Sequence, residues 1–121
     1  MITHHCVNKE GEHFIIFQNS SGAYLCPVCG SPEFEVAPYD ENGLASFDLC
    51  TCGFQFGFDD SPLASQEALH GVIANWDRWR IIVINKYASS KAKLEELLLN
   101  LDNIGIELAF DLIPTKKYKN T

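Results

Sequence analysis

Four of the five cysteines in this chain form two close pairs whose spacing is typical of metal ligands. Two residues separate Cys26 from Cys29, one separates Cys50 from Cys52, and twenty lie between the pairs. A Cys-x-x-Cys turn supplies two ligands because its backbone folds round the metal while its amides donate to the sulfurs. The pattern predicts a structural Zn²⁺ site, with these four cysteines as ligands, in a zinc ribbon that spans Tyr24–Asp60.

The second cysteine pair is one residue shorter than a standard zinc knuckle. A glycine follows both Cys29 and Cys52, which makes Cys52 the safer ligand and Cys50 the less secure one. Should Cys50 not reach the metal, Cys6 or a histidine completes the site, or the ribbon holds no metal. A redox-active dithiol is a further alternative, although the sequence lacks the βαβ pattern that accompanies such motifs.

The residues before the ribbon divide into a polar terminus and a strand. Residues 1–12 are expected to be mobile, with the alternative that His4, His5 and Cys6 form a second metal site. The β-branched and aromatic run His13–Gln18 predicts a strand beside the ribbon, because turn residues follow it directly.

Inside the ribbon the sequence predicts three short strands and a tight turn. The strands are expected near residues 34–36, 45–49 and 54–58. Asn42-Gly43 predicts a two-residue hairpin turn, in which both central residues take positive φ.

The aromatic residues are expected to build the core. Phe54, Phe56 and Phe58 share one face of the last predicted strand by its period of two, and we expect them under a helix. Trp76 and Trp79 are expected in the core and at its edge.

Two helices are predicted after the ribbon. Ser61-Pro62 and Ser65 are helix-start signals, and apolar residues at helical spacing predict a helix over about 69–87. Gly71 and Asn75 are the points where an interruption is the alternative. A second helix is expected from Lys91 to about Asn100. A strand over 104–113 and a solvated basic tail from Pro114 onward complete the chain.

Together these elements predict an α+β fold, a zinc-ribbon-like antiparallel β-sheet followed by two helices packed on it. The expected organisation is a single domain over 1–121. It comprises a β-rich ribbon (13–60), a helical part (61–101) and a final strand with a basic tail (104–121).

Charge is distributed unevenly along the chain. Eleven acidic residues and no Lys or Arg lie between Lys9 and Arg78, whereas the part from Arg78 onward is net basic. Phosphate contacts by Lys and Arg supply most non-specific affinity for nucleic acid, so the ribbon is not expected to bind it. An acidic surface instead attracts basic protein partners.

Several other classes of protein are disfavoured by the sequence. It has no His-Glu-x-x-His helix, Gly-rich phosphate loop or Gly-x-Ser-x-Gly elbow, and four sulfur ligands leave no open position on the metal. We therefore expect no enzyme. The sequence also shows no secretory signal and no membrane span, so a cytoplasmic location is expected, where thiols stay reduced.

Residues 24–80 resemble a family of small bacterial cysteine-rich proteins named for their Cys-Pro-x-Cys motif. The resemblance is carried by Cys26-Pro-Val-Cys29-Gly, by Pro38-Tyr-Asp with Asn42-Gly43, and by the run from Cys52-Gly-Phe-Gln-Phe-Gly-Phe to Asp59-Asp60, followed by a Trp-bearing helix. This chain departs from the family at Cys50-Thr-Cys52, where two residues more often separate the cysteines. Some members resemble immunity proteins of bacterial polymorphic-toxin and contact-dependent inhibition systems.

Charge and resemblance together predict a cytoplasmic immunity protein that binds and neutralises a cognate toxin domain, such as a basic nuclease. Asp40, Glu41, Asp59 and Asp60 are the candidate partner-binding residues, although Asp59 and Asp60 have an alternative role as the cap of the next helix. The alternative functions are a nucleic-acid-binding zinc ribbon and another kind of adaptor protein.

Overall fold

The chain begins with a β-hairpin. In the computed structural model, which describes residues 1–60, 71–108 and 114–116, β1 (Ile2–Val7) pairs antiparallel with β2 (His13–Gln18). The predicted strand His13–Gln18 is confirmed, whereas the prediction of a mobile terminus is wrong. Pairing with β1 satisfies backbone groups of β2 that would otherwise need another partner, and the alternation of the two strands buries Cys6, Phe14 and Ile16.

The ribbon contains turns joined by single β-bridges. Its bridges pair Tyr24 with Phe34, Tyr39 with Ala45, and Leu49 with Gln55. The prediction of strands at 34–36, 45–49 and 54–58 is therefore wrong, because these segments form isolated bridges and not continuous ladders. Side chains that bond to nearby backbone amides compete with ladder formation here, as the next turn illustrates.

The turn at Asn42-Gly43 exists, but it is longer than the predicted two-residue turn. Asp40 closes it, because its amide donates to the Leu44 carbonyl at 3.0 Å and its Oδ1 accepts from the amides of Asn42 and Leu44, each at 2.9 Å. Gly43 has φ 75° while Asn42 does not have positive φ. The prediction of positive φ at both residues is wrong.

The aromatic core prediction holds for two of the three phenylalanines. Phe54 and Phe56 are both fully buried, whereas Phe58 is 57% exposed. The amides of Phe58 and Asp59 both donate to the Gln55 carbonyl, at 3.2 and 3.0 Å. The chain therefore turns after Phe56, and the period of two stops there.

The first described helix, α1 (Val72–Tyr87), is capped by a residue from the β-hairpin. Glu12 Oε1 accepts from the Val72 amide at 2.7 Å and Oε2 from the Ile73 amide at 3.1 Å. Gly71, at φ 106°, precedes the helix, and a Cβ there would lie 2.9 Å from Glu12 Oε1. The predicted helix is confirmed over 72–87 without interruption at Asn75, while the start signals at 61–65 lie outside the described residues.

The second helix, α2 (Lys91–Asn103), begins where the sequence predicts. Ser90 Oγ caps it by accepting from the Lys93 amide. Leu97 and Leu101 of this helix are buried in the core, whereas Leu98 is exposed.

The end of the chain forms a second hairpin. β3 (Ile106–Leu108) pairs antiparallel with β4 (Pro114–Lys116), with Ile106 opposite Lys116. The strand predicted over 104–113 begins at Ile106, two residues later than predicted. Residues 109–113 lie outside the described residues, and 114–116 belongs to a strand and not to a tail.

A single buried cluster joins the hairpin, the ribbon and both helices. Trp76 is buried within it and Trp79 packs at its edge, with the Trp79 ring edge-on to Phe54 at 5.4 Å between centroids. The predicted α+β class, with two helices packed on antiparallel β structure, is confirmed. No helix in the described parts of the chain is long and apolar enough to cross a membrane.

Candidate metal centre

All four predicted ligand cysteines come together in the structure. The Sγ atoms of Cys26, Cys29, Cys50 and Cys52 lie within 4.8 Å of one another, and each cysteine is buried. Cys29 Sγ lies 3.6 Å from Cys50 Sγ. Sulfurs at the corners of a zinc tetrahedron with Zn–S bonds of about 2.3 Å are separated by about 3.8 Å, so the cluster has the dimensions of a metal site.

The first knuckle, the loop formed by residues 26–30, is closed by backbone hydrogen bonds around Cys26. Its carbonyl accepts from the Gly30 amide at 2.8 Å, and its own amide donates to the Ser31 carbonyl at 2.9 Å. The Val28 amide donates to Cys26 Sγ at 3.4 Å. Hydrogen bonds of this kind, from backbone amides to sulfur, fix the direction of the sulfur and stabilise its negative charge.

The second knuckle repeats these bonds in a loop one residue shorter. The Cys50 carbonyl accepts from the Gly53 amide at 2.8 Å, and the Cys50 amide donates to the Phe54 carbonyl at 2.9 Å. The Cys52 amide donates to Cys50 Sγ at 3.5 Å. In both knuckles the first cysteine's sulfur accepts a hydrogen bond from the amide two residues later, which is Val28 after Cys26 and Cys52 after Cys50. The shorter loop therefore still directs the Cys50 sulfur into the cluster.

Arg80 ties α1 to the first knuckle. Its Nε donates to the Val28 carbonyl at 2.8 Å and its Nη2 to the Pro27 carbonyl at 2.6 Å, while Nη1 contacts Asp77 at 2.7 Å. The side chain is buried, and burial lowers the pKa of the guanidinium from its ordinary value while Asp77 opposes that shift. The planar donor group thus satisfies both carbonyls between the first two cysteines, and its charge lies beside the sulfurs.

Glu33 joins the two knuckles to each other. One carboxylate oxygen accepts from both the amide and the hydroxyl of Thr51, each at 3.0 Å, and the other accepts from the Ser31 hydroxyl at 2.6 Å. Thr51 lies between the second pair of cysteines, and Ser31 follows the first knuckle. The carboxylate therefore holds the two loops in a fixed relative position.

The second helix packs directly on the first knuckle at a glycine. Gly30 has φ 82°, and a Cβ there would lie 2.0 Å from the backbone oxygen of Asn100. Any other residue would force α2 away from the cysteines. Close approach thus requires glycine at this position, in addition to the positive φ.

The electrostatics of the cluster favour a bound cation. Burial, followed by hydrogen bonding to the neighbouring thiols, raises the pKa of Cys26 well above its ordinary value. Hydrogen bonds from the thiols of Cys26, Cys29 and Cys50 lower the pKa of Cys52. Four sulfurs this close cannot all be thiolates without a cation between them, so metal binding displaces protons from the site.

One side of the cluster opens on a cavity of about 280 Å³. Cys29 and Cys52 line it together with Lys86 and Tyr87 of α1 and Lys93 of α2. The Lys93 ammonium lies 5.9 Å from the centroid of the Tyr87 ring. Two lysines thus lie beside the cysteine cluster, where their positive charge would offset the negative charge of bound thiolates.

The alternative second metal site at the terminus is not formed by the described residues. His4 Nε2 bonds to Gln18 Oε1 and His5 Nε2 to His13 Nδ1, each at 2.8 Å. The Cys6 thiol is buried and donates to the Tyr39 carbonyl at 3.8 Å. In the parts of the chain that the structure describes, the four ribbon cysteines are the group placed to hold a metal.

The four predicted partner-binding acids lie in two different environments. Asp40 and Glu41 are exposed, although Asp40 Oδ1 also accepts from two amides of its own turn, whereas Asp59 and Asp60 are less exposed and bond to other residues of the ribbon. Asp59 Oδ2 accepts from the Gln55 amide at 2.8 Å, and Asp60 Oδ2 accepts from the Tyr39 hydroxyl. Burial raises the pKa of Asp60, so this carboxylate is part of the packing around Tyr39.

Three residues that support the site are not evident from the sequence. Arg80 and Glu33 act on the knuckles, and Glu12 fixes the start of the helix that carries Arg80. The absence of Lys and Arg between Lys9 and Arg78 draws attention to Arg80 as one of the first cations after the ribbon, but no spacing rule links it to the cysteines.

Comparison of the chain with known protein families, with curated proteins and with solved structures found no match. The resemblance of residues 24–80 to the Cys-Pro-x-Cys proteins stays a prediction. The assignment of a metal centre depends on the geometry of the cysteines.

Proposed function

We propose that this chain is an immunity protein that a structural zinc ion holds in shape, and that it binds and neutralises a cognate bacterial toxin domain with a basic surface, such as a nuclease. The observation that carries the proposal is the placement of charge around the metal centre. The resemblance of residues 24–80 supports the class of protein.

Zinc is the metal that this donor set fits best. Four buried thiolates at tetrahedral spacing are soft ligands, which select zinc or iron–sulfur chemistry over magnesium or calcium. All four positions are occupied by protein ligands, which suits a structural ion. The chain's own contribution is to fix the sulfurs through the knuckle amides, Arg80 and Glu33.

The acidic residues divide into those used inside the fold and those left on the surface. Glu12, Glu33 and Asp77 bond to a helix terminus, to the knuckles and to Arg80 respectively. Of the described residues between Lys9 and Arg78, five other acids are exposed: Glu10, Glu35, Asp40, Glu41 and Asp48. With no Lys or Arg between Lys9 and Arg78, this surface attracts a basic partner and increases its rate of association.

Nucleic acid fits this surface poorly because phosphates and carboxylates repel each other. A toxin nuclease presents the opposite charge, since its active-site face must bind phosphates. An acidic protein that covers that face takes the place of the nucleic acid and blocks the reaction.

The proposal predicts that a secreted toxin is encoded next to this gene, and the test is binding and growth rescue with the C-terminal domain of that toxin. We expect the zinc-loaded protein to co-purify with that domain and to restore growth of cells that express it. A Glu10→Lys/Glu41→Lys variant should bind more slowly and rescue less well, whereas Glu95→Lys/Glu107→Lys, with the same charge change on α2 and β3, should retain both activities. Wild-type protein that neither binds nor rescues would disprove the proposed function.

A further inference from the structure

We infer that the partner contacts a groove lined by Leu44 and Phe47, where a basic protein surface inserts an apolar side chain between these residues and the start of α1. The inference rests on the proposed function and adds to it the face of the molecule that binds. The groove lies on the ribbon and does not include the metal ligands.

The groove is formed where the first hairpin, two parts of the ribbon and the start of α1 meet around a volume of about 480 Å³. It is lined by residues 8–10 of the hairpin, by Tyr39, residues 42–45, Phe47, Gly57 and Asp60 of the ribbon, and by Val72 of α1. Leu44 is 67% and Phe47 61% exposed. An open apolar surface of this kind, with charged residues at its rim, is typical of protein interaction sites.

Phe47 has a backbone conformation that is unfavourable for an aromatic residue. It is the only non-glycine residue with positive φ in the described parts of the chain, at φ 65°. Its carbonyl accepts from Gln55 Nε2 at 3.1 Å, and the Phe56 amide donates to the Asp48 carbonyl at 3.1 Å. These bonds hold Phe47 in this strained conformation.

The Phe47 ring lies on the ribbon surface, and the residue is 61% exposed. A Cβ at Gly57 would lie 2.8 Å from Phe47 Cε1, so the ring packs on the glycine backbone with its other side exposed. The packing of a buried aromatic ring would stabilise the fold enough to offset such strain. The exposed Phe47 ring stabilises the free protein little, whereas a partner that covers it would bury an aromatic anchor.

Charge at the rim specifies the chemistry of the occupant. Glu10 lines the groove, and the exposed acids Asp40 and Glu41 directly precede its residues 42–44. Lys9 is the one basic residue of the described lining. Lysine or arginine side chains around an apolar anchor therefore match this face, and a phosphate backbone does not.

The test compares Phe47→Gly and Phe47→Asn with Leu99→Ala, an exposed apolar residue on α2 outside the groove. Glycine and asparagine tolerate positive φ, so both Phe47 variants should bind zinc and unfold at the wild-type temperature or above. Their dissociation constants for the toxin domain encoded next to this gene should rise about 30-fold or more, as for a central interface anchor. Leu99→Ala should bind like wild type.

The outcomes separate this inference from the proposed function. If wild-type protein does not bind the toxin domain, the proposed function fails and the inference fails with it. If wild-type protein binds but both folded Phe47 variants bind equally well, the groove is not the binding face and the proposed function stands. Binding of a 20-nucleotide single-stranded DNA that Phe47→Gly abolishes would overturn the assignment of a protein occupant.

Discussion

Arg80 Nη2 donates to the Pro27 carbonyl oxygen at 2.6 Å. A buried cation on α1 is thus bonded to the loop between the first two cysteines. The loop has two carbonyls to satisfy, and Arg80 satisfies both. Helix and metal centre therefore stabilise each other.

Replacing Arg80 by methionine should weaken metal binding. The substitution keeps an unbranched side chain in the core but leaves the carbonyls of Pro27 and Val28 without donors. Because outer contacts of a metal site orient its ligands, we expect zinc affinity to fall roughly 10- to 100-fold. Competition with a chromophoric chelator measures this change. The control is Arg78→Met, at an exposed position of the same helix, and equal affinities for the two variants would show that Arg80 does not support the site.

Glu33→Gln should accelerate zinc release. The amide keeps one acceptor for Thr51 but loses the charge and the second acceptor that binds the Ser31 hydroxyl. The two knuckles are then less firmly joined, and we expect release to a chelator to be about 10-fold faster. Glu35→Gln removes an equally exposed charge two residues away and should release zinc at the wild-type rate. Identical rates for the two variants would contradict the assigned role of Glu33.

Glu12→Gln should destabilise the protein by about 1 kcal/mol. The variant retains the side-chain length but removes the negative charge at the N-terminus of α1, where the amides of Val72 and Ile73 point at the carboxylate. Urea unfolding at a fixed, saturating zinc concentration gives the free energy. Glu10→Gln, in the same turn, should change it by less than about 0.5 kcal/mol. A Glu12 variant as stable as the Glu10 variant would show that the carboxylate does not cap the helix.

Local patterns predict several local features of this fold. The cysteine spacing identifies the cluster, His13–Gln18 forms a strand, and α2 begins at Lys91 as expected. Each depends on residues close in sequence, where spacing and propensity act directly.

The features that the sequence does not reveal depend on distant contacts. Arg80 is 53 residues from Pro27, Glu12 is 60 residues from Val72, and Glu33 is 18 residues from Thr51. In the ribbon, hydrogen bonds from Asp40 and from the knuckle amides replace the strand ladders that the alternation of residues predicts. The sequence does not predict β1, because the polar residues Thr3, His4 and His5 interrupt the apolar pattern typical of a strand.

The most direct test of the metal centre is titration of the reduced, metal-free protein with Co²⁺, whose visible absorption reports tetrahedral thiolate coordination. We predict one Co²⁺ per chain with a four-thiolate spectrum, because the described residues bring together a single cluster of four cysteines. Cys6→Ser should retain that spectrum, since Cys6 bonds to backbone carbonyls away from the cluster, whereas Cys50→Ser should lose it. A four-thiolate spectrum that survives in Cys50→Ser, or that disappears in Cys6→Ser, would contradict the assignment of Cys26, Cys29, Cys50 and Cys52 as the ligands.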